Sequence, residues 1–192
     1  MKSHYSRELE ILFGAICDGL RQEVRYRCLA QLIAPKEEMS LSEEREAQLV
    51  ASLAYHIRMV GFIVQIESYF YEQPAKRRPD LAILLPVTQK YLFLEVKNFG
   101  PYSGYDSVIE DIEKLENISA PKDKRNGLIV LGFRSPVKYR DRFQEKYRDL
   151  SAMITKDHPY REIDIRKIEL EDMDARAVYA MIGLWVRKHS TD

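Results

Sequence analysis

The segment Arg78–Lys97, RPDLAILLPVTQKYLFLEVK, constrains the fold more than any other stretch of the chain. Two short apolar runs flank a turn at Thr88-Gln89-Lys90, a pattern that reads as a β-hairpin. Along the second run Leu92, Leu94 and Val96 face one way, and Tyr91, Phe93, Glu95 and Lys97 face the other. Both faces begin apolar, which marks a central strand covered on both sides. Such a hairpin needs helices on either face of its sheet.

The rest of the sequence supplies them. Residues 5–34 read as a long helix with Leu12, Ile16, Leu20 and Val24 at i+4 spacing, flanked by Ile11, Cys28 and Leu32, and ended by Ala34-Pro35. Ser40 and Glu43 form a capping box for a second helix that runs to about Val60 and stops at Gly61, with Leu49, Val50, Leu53, Ile57 and Val60 inward. FIVQIESYFY predicts a strand before the hairpin, and GPYSG a loop after it. Residues 105–118 predict an acidic amphipathic helix with Val108, Ile109, Ile112 and Leu115 inward, and LIVLGF a short buried strand. Residues 137–150 read as a basic helix, 162–170 as a last strand, and 175–188 as a final helix carrying Trp185. At 192 residues this is about one domain. The boundaries are a helical extension over 1–38 and an α/β domain over 39–192. The apolar stripe of the extension either docks on its own core or pairs with a second copy.

Charge and cysteine usage narrow the function classes. Thirty basic residues balance thirty acidic ones, which excludes a generally basic nucleic-acid coat and a polybasic membrane binder. It leaves room for a local basic face. The longest apolar run, around Leu81–Val87, is far short of the ~20 residues of a membrane helix. The opening MKSHYSRELE has no apolar leader core. Cys17 and Cys28 share a helix face roughly 16 Å apart, too far to bridge within one chain. These features predict a cytoplasmic protein with no membrane partner.

The chemistry gathers at the hairpin. Glu95 and Lys97 near the end of a covered strand are costly unless paired, wetted or bound to a metal. A short hairpin brings Asp80, which opens the first run, alongside Glu95. Two converging carboxylates offer hard oxygen ligands suited to Mg²⁺, with a lysine two residues on. The same residues also fit an ordinary ion pair between Glu95 and Lys97 at a strand end, with Asp80 as a turn residue after proline.

Pro79-Asp80, an apolar hairpin, and Glu95-Val96-Lys97 resemble the signature of the PD-(D/E)xK, or restriction-endonuclease-like, nucleases. The predicted element order from 43 to 133, helix, three strands, helix, strand, is similar to that family's αβββαβ core. The resemblance covers about half the chain. It implies an α/β fold with a mixed central sheet and an added N-terminal helix. It further implies that Asp80 and Glu95 hold Mg²⁺, with Mn²⁺ able to substitute, helped by the Val96 carbonyl and by Glu46. Lys97 would position and help deprotonate the attacking water and balance phosphate charge. The product would carry a 5′-phosphate and a 3′-hydroxyl. Glu46 is chosen because EAQLVASL followed by GF resembles the corresponding helix of archaeal Holliday-junction resolvases; Glu43 is second, and Glu44 projects elsewhere. The implied activity is metal-dependent DNA cleavage, directed by DNA structure or by a partner, with a homodimer or recruiting protein supplying affinity. The alternative is a silent module of the same fold that binds nucleic acid or a protein.

Lys76, Arg77 and Arg78 precede Asp80 and suit a phosphate, or form a solvated loop. Residues 122–148, Arg134 and Lys138 among them, contain nine Lys/Arg against three Asp/Glu and are interleaved with aromatics. That pattern fits a phosphate-tracking face as well as a solvated amphipathic helix. Tyr102, Ser103 and Tyr105 follow the motif strand and line the expected groove. The four histidines, His4, His56, His158 and His189, have no metal-ligand spacing, and His56 reads as a surface or packed residue. A phosphate-binding glycine loop, a Gly-x-Ser-x-Gly elbow and a zinc cysteine pair are all absent from the sequence.

Overall fold

The hairpin forms where its apolar runs place it, within a mixed α/β structure. The computed structural model describes residues 4–33, 43–66, 78–100, 102–117, 124–134, 140–171 and 177–188; within these, the side chains at 24, 26–33, 43–46, 124–134, 168, 170, 171 and 177–179 are not described. In chain order the elements are α1 (His4–Ile33), α2 (Glu43–Met59), β1 (Ile63–Ile66), β2 (Leu81–Leu85), β3 (Lys90–Asn98), α3 (Asp106–Glu116), β4 (Lys124–Arg134), α4 (Arg140–Asp157), β5 (Tyr160–Glu171) and β6 (Ala177–Arg187). Ser40 of the expected capping box, and the strand residues expected after Ile66, lie outside the described residues.

The strands form a six-stranded sheet in the order β1-β2-β3-β4-β6-β5. β1, β2 and β3 form an antiparallel meander, and β3 pairs parallel to β4 after the α3 crossover. β6 then pairs antiparallel to both β4 and β5. The alternation of β3 sorts its side chains as expected. Leu92, Leu94 and Val96 join α1 and α2 in one core, while Phe93 joins α3 and α4 in the other. The sheet is therefore sandwiched between two helical layers.

α1 docks on its own core: Leu9, Leu12, Phe13, Ile16 and Leu20 are buried with α2 and the sheet. Ile11, expected on that stripe, is exposed, as is Val60 beyond the end of α2. The helices approach closely at Gly19, where a β-carbon would stand 3.2 Å from Leu53 and His56, so His56 is a packed residue. Gly61 ends α2 with a φ of +94°, a conformation glycine adopts without a β-carbon penalty. On α3, Val108, Ile112 and Leu115 are buried as expected, and Ile109 only partly.

Two corrections concern strands. The hairpin turn occupies residues 86–89, starting two residues and ending one residue earlier than expected, because Lys90 already pairs with Leu85 as the first residue of β3. The larger correction is that 175–188 is not a helix: Ala177–Arg187 is a strand. Ala180, Ile182, Leu184 and Val186 fill one core, and Met181 and Trp185 the other. A strand buried on both faces shows no apolar–polar alternation, so its period of two was hidden.

A buried carboxylate fastens the turn. Glu8 of α1 is 4% exposed and accepts hydrogen bonds from Val87 N (2.6 Å), Thr88 N (3.1 Å) and Thr88 Oγ1 (2.6 Å). Taking that charge out of water is tolerable because three donors surround it.

Candidate active site

The β2–β3 register sets the site. Leu81 pairs with Leu94, so Asp80, one residue before β2, lies across from Glu95. Asp80 Oδ2 accepts a 2.7 Å hydrogen bond from Val96 N, which fixes the carboxylate against β3. Glu95 is 2% exposed and points to the side of the sheet covered by α3 and α4. The sequence brought these two carboxylates together, and the fold does so by local pairing.

α3 contributes two residues that sequence reasoning missed. Lys114 Nζ stands 2.8 Å from both carboxylate oxygens of Glu95 and donates to Oε2. It is off the direction that a hydrogen bond to Oε1 requires, so that buried oxygen has no hydrogen-bond donor. Asp111, three residues earlier on the helix, accepts an ion pair from Lys97 Nζ at 3.0 Å. In place of the alternative Glu95–Lys97 ion pair, two pairs cross to α3. The signal was available in position: Asp111 and Lys114 border the Ile112 and Leu115 stripe that packs on the sheet.

The electrostatics follow from burial. The Glu95 carboxyl is pushed up from 4.5 to about 9, first by loss of water and then by the neighbouring Asp80 charge, against the opposing pull of Lys114. Asp80 is raised as well, by burial first, with the Val96 N–H drawing it back down. Ionised together, the two carboxyls repel, and a cation would relieve that repulsion. Their oxygens are hard donors of the kind Mg²⁺ and Mn²⁺ prefer. Among the described residues no group of three or more His, Cys, Asp or Glu converges on one point. A cation held by Asp80 and Glu95 would complete its shell with a backbone carbonyl, such as that of Val96, and water.

The remaining candidates are dispersed. Glu46 lies in the first turn of α2, and its side chain is outside the described residues, as is that of Glu43. α2 packs Leu49 and Val50 on the face of the sheet opposite Glu95. Arg78 lies two residues before Asp80 and is half-buried; Lys76, Arg77 and Lys138 lie outside the described residues. Arg134 ends β4, paired with Tyr179, with its side chain not described.

Tyr105 is built into the wall of the loop that follows β3. Its ring lies 5.7 Å from that of Phe99, and Lys146 Nζ lies 5.5 Å from its centroid. Burial, then the charges of Asp149 and Glu145, raise its phenol. Lys146 also donates to Ser103 O and sits 4.7 Å from the Phe99 ring centre, and Arg142 covers Tyr102 at 4.5 Å. These cations of α4 hold the loop in place through its rings. On the far side of the sheet, Cys17 is a buried thiol pushed up to about 11 by loss of water. Among the described residues, no helix is long and apolar enough to cross a membrane. Comparison with protein-family models, with curated proteins and with solved structures finds no match to this chain.

Proposed function

We propose that this chain is a divalent-metal-dependent nuclease of the restriction-endonuclease-like type, cleaving DNA phosphodiester bonds at Asp80, Glu95 and Lys97. The observation that carries the reading is the carboxylate pair: Asp80 faces a 2% exposed Glu95 whose Oε1 has no hydrogen-bond donor. A helix, an antiparallel three-stranded meander, a crossover helix and a parallel fourth strand surround that pair, in the order of the αβββαβ core.

In this reading Asp80 and Glu95 hold Mg²⁺ or Mn²⁺, with the Val96 carbonyl and Glu46 as further contributors. Bound there, the cation supplies charge stabilisation to the phosphodiester as it is cleaved. Lys97, at the exit of β3, orients the attacking water and offsets charge on the phosphate. Its 3.0 Å pair with Asp111 holds the Lys97 ammonium at the α3 edge of the site. Attack by the water oxygen on phosphorus breaks the bond to the 3′-oxygen. The attacking water gives up a proton to solvent, and the departing 3′-oxygen takes one from solvent to leave as a hydroxyl, with the phosphate left on the 5′ side. Arg78 stands at the approach to Asp80 as a phosphate contact, with Lys76 and Arg77 before it. Tyr105, Arg134 and Lys138 are proposed contacts along the DNA, and a second copy or a recruiting protein would add affinity that a chain of zero net charge lacks.

A second reading has its own support. Glu95 and Lys97 are each paired with α3, as a purely structural charge network would be. A silent nucleic-acid- or protein-binding module would keep such a network. The test is incubation with branched, nicked and linear DNA, and with RNA, in Mg²⁺, in Mn²⁺ and in EDTA. Metal-dependent cleavage that EDTA abolishes is the expected result. No cleavage across the panel in either ion would favour the silent module.

A further inference from the structure

Lys114 stands where a cation is wanted. Its ammonium lies 2.8 Å from both oxygens of Glu95, on a carboxylate that is almost fully buried and faces Asp80. A metal ion reaching Oε1 would meet that ammonium at close range, with little water between them to screen the repulsion. Lys114 comes from the last turn of α3, so its stem is anchored by a helix packed through Leu115 rather than by the strand that carries Glu95.

We propose that Lys114 is a resident counter-cation: it neutralises the Asp80–Glu95 pair in the metal-free protein and must withdraw from Glu95 when a divalent ion binds. The inference rests on the metal-dependent reading of this site and adds a control on its loading. With Glu95 ionised, as a metal ligand must be, Asp80, Glu95 and Asp111 against Lys97 and Lys114 carry one net negative charge. A divalent ion reverses that to one positive charge, which one phosphodiester then cancels. The lysine lets the two carboxylates be buried side by side before any metal arrives. It also sets a threshold, because weak or scarce cations do not displace a group tethered at contact distance. Lys114 acts through Glu95 and is a positioning residue.

The test is direct metal binding without substrate. Mn²⁺ is titrated into wild type, Lys114→Met and Lys114→Gln, following free Mn²⁺ by electron paramagnetic resonance and checking each fold by circular dichroism. Removing the ammonium should tighten Mn²⁺ binding by at least about tenfold, the lower range for one opposite charge acting on a carboxylate. In wild type, the Lys114 ε-methylene NMR signal should shift as Mg²⁺ is added, a reading that needs no variant. Unchanged or weaker Mn²⁺ binding in a folded variant, or an unmoved Lys114 signal under Mg²⁺ saturation, would overturn the counter-cation role while leaving the metal site intact. Binding by the variants alone would support the role and show the wild-type site closed. Absence of Mn²⁺ binding in all three proteins would overturn this inference together with the metal-dependent reading beneath it.

Discussion

A β-carbon on Gly183 would stand 2.1 Å from the Trp185 ring, because the indole folds back over the position two residues before it on the same strand. The ring is fully buried, and its Nε1 donates to Ser151 Oγ at 3.2 Å. Ser151 in turn donates to Glu162, so the indole is fixed at both its edge and its face. Gly183→Ala must therefore move the ring or the strand. The expected cost is about 1–3 kcal/mol, the range for overpacking a filled core. Denaturant unfolding followed by the fluorescence of Trp185, the chain's single tryptophan, measures it. An unchanged midpoint would mean that the ring yields freely.

Glu95 makes metal-free stability depend on pH. Its carboxyl rises from 4.5 to about 9 on folding, so the folded state keeps a proton that the unfolded chain releases. A raised carboxyl contributes stability that is complete below about 4.5 and is lost as pH climbs through about 9. In EDTA, the wild-type melting temperature should fall between pH 6 and pH 9. Glu95→Gln, neutral throughout, should flatten that slope. Equal slopes in the two proteins would assign the effect to other groups.

Asp80→Ala tests the other half of the pair. It should abolish metal-dependent cleavage and leave the protein folded, at a cost of about 1–3 kcal/mol for the Val96 N–H that loses its acceptor. It also removes the charge that repels Glu95, which works in the opposite direction. Cleavage surviving in a folded Asp80→Ala protein would exclude Asp80 as a metal ligand.

Lys97 separates charge from proton transfer. Lys97→Met keeps most of the stem and should still bind metal, yet cut at least ~100-fold more slowly. Lys97→Arg keeps the positive charge facing Asp111 and cannot act as a base. The expected order of cleavage rates is wild type, then arginine, then methionine. An arginine variant as slow as the methionine one would assign the ammonium to proton transfer, and a fully active one would assign it to charge alone.

The hairpin and its carboxylates were legible because everything that fixes them is local. Asp80 and Glu95 flank one short turn, and a period of two decides their register. α1, α2 and α3 were legible through stripes at helical spacing. β6 was not: its two faces are both buried, so Ala177–Arg187 lacks the apolar–polar alternation that marks a strand, although Val178, Tyr179, Ile182, Trp185 and Val186 are all strand formers. Asp111 and Lys114 were overlooked although they border a buried stripe. On the sequence they belong to an acidic amphipathic helix whose charges read as a solvated face. The crossover from β3 to β4 turns that edge of α3 onto Glu95 and Lys97.

The Glu8 clamp on the β2–β3 turn has a kinetic consequence. A hairpin closes in microseconds from its own residues. This one receives the carboxylate that satisfies Val87 and Thr88 from 79 and 80 positions upstream. The turn amides are therefore tied to the docking of α1 rather than to the strands they join. In native-state hydrogen exchange, Val87 and Thr88 should open together with α1, at a free energy below that of the β2–β3 ladder. The hairpin that carries the two carboxylates would then keep its strands paired while its far turn breathes with the N-terminal helix.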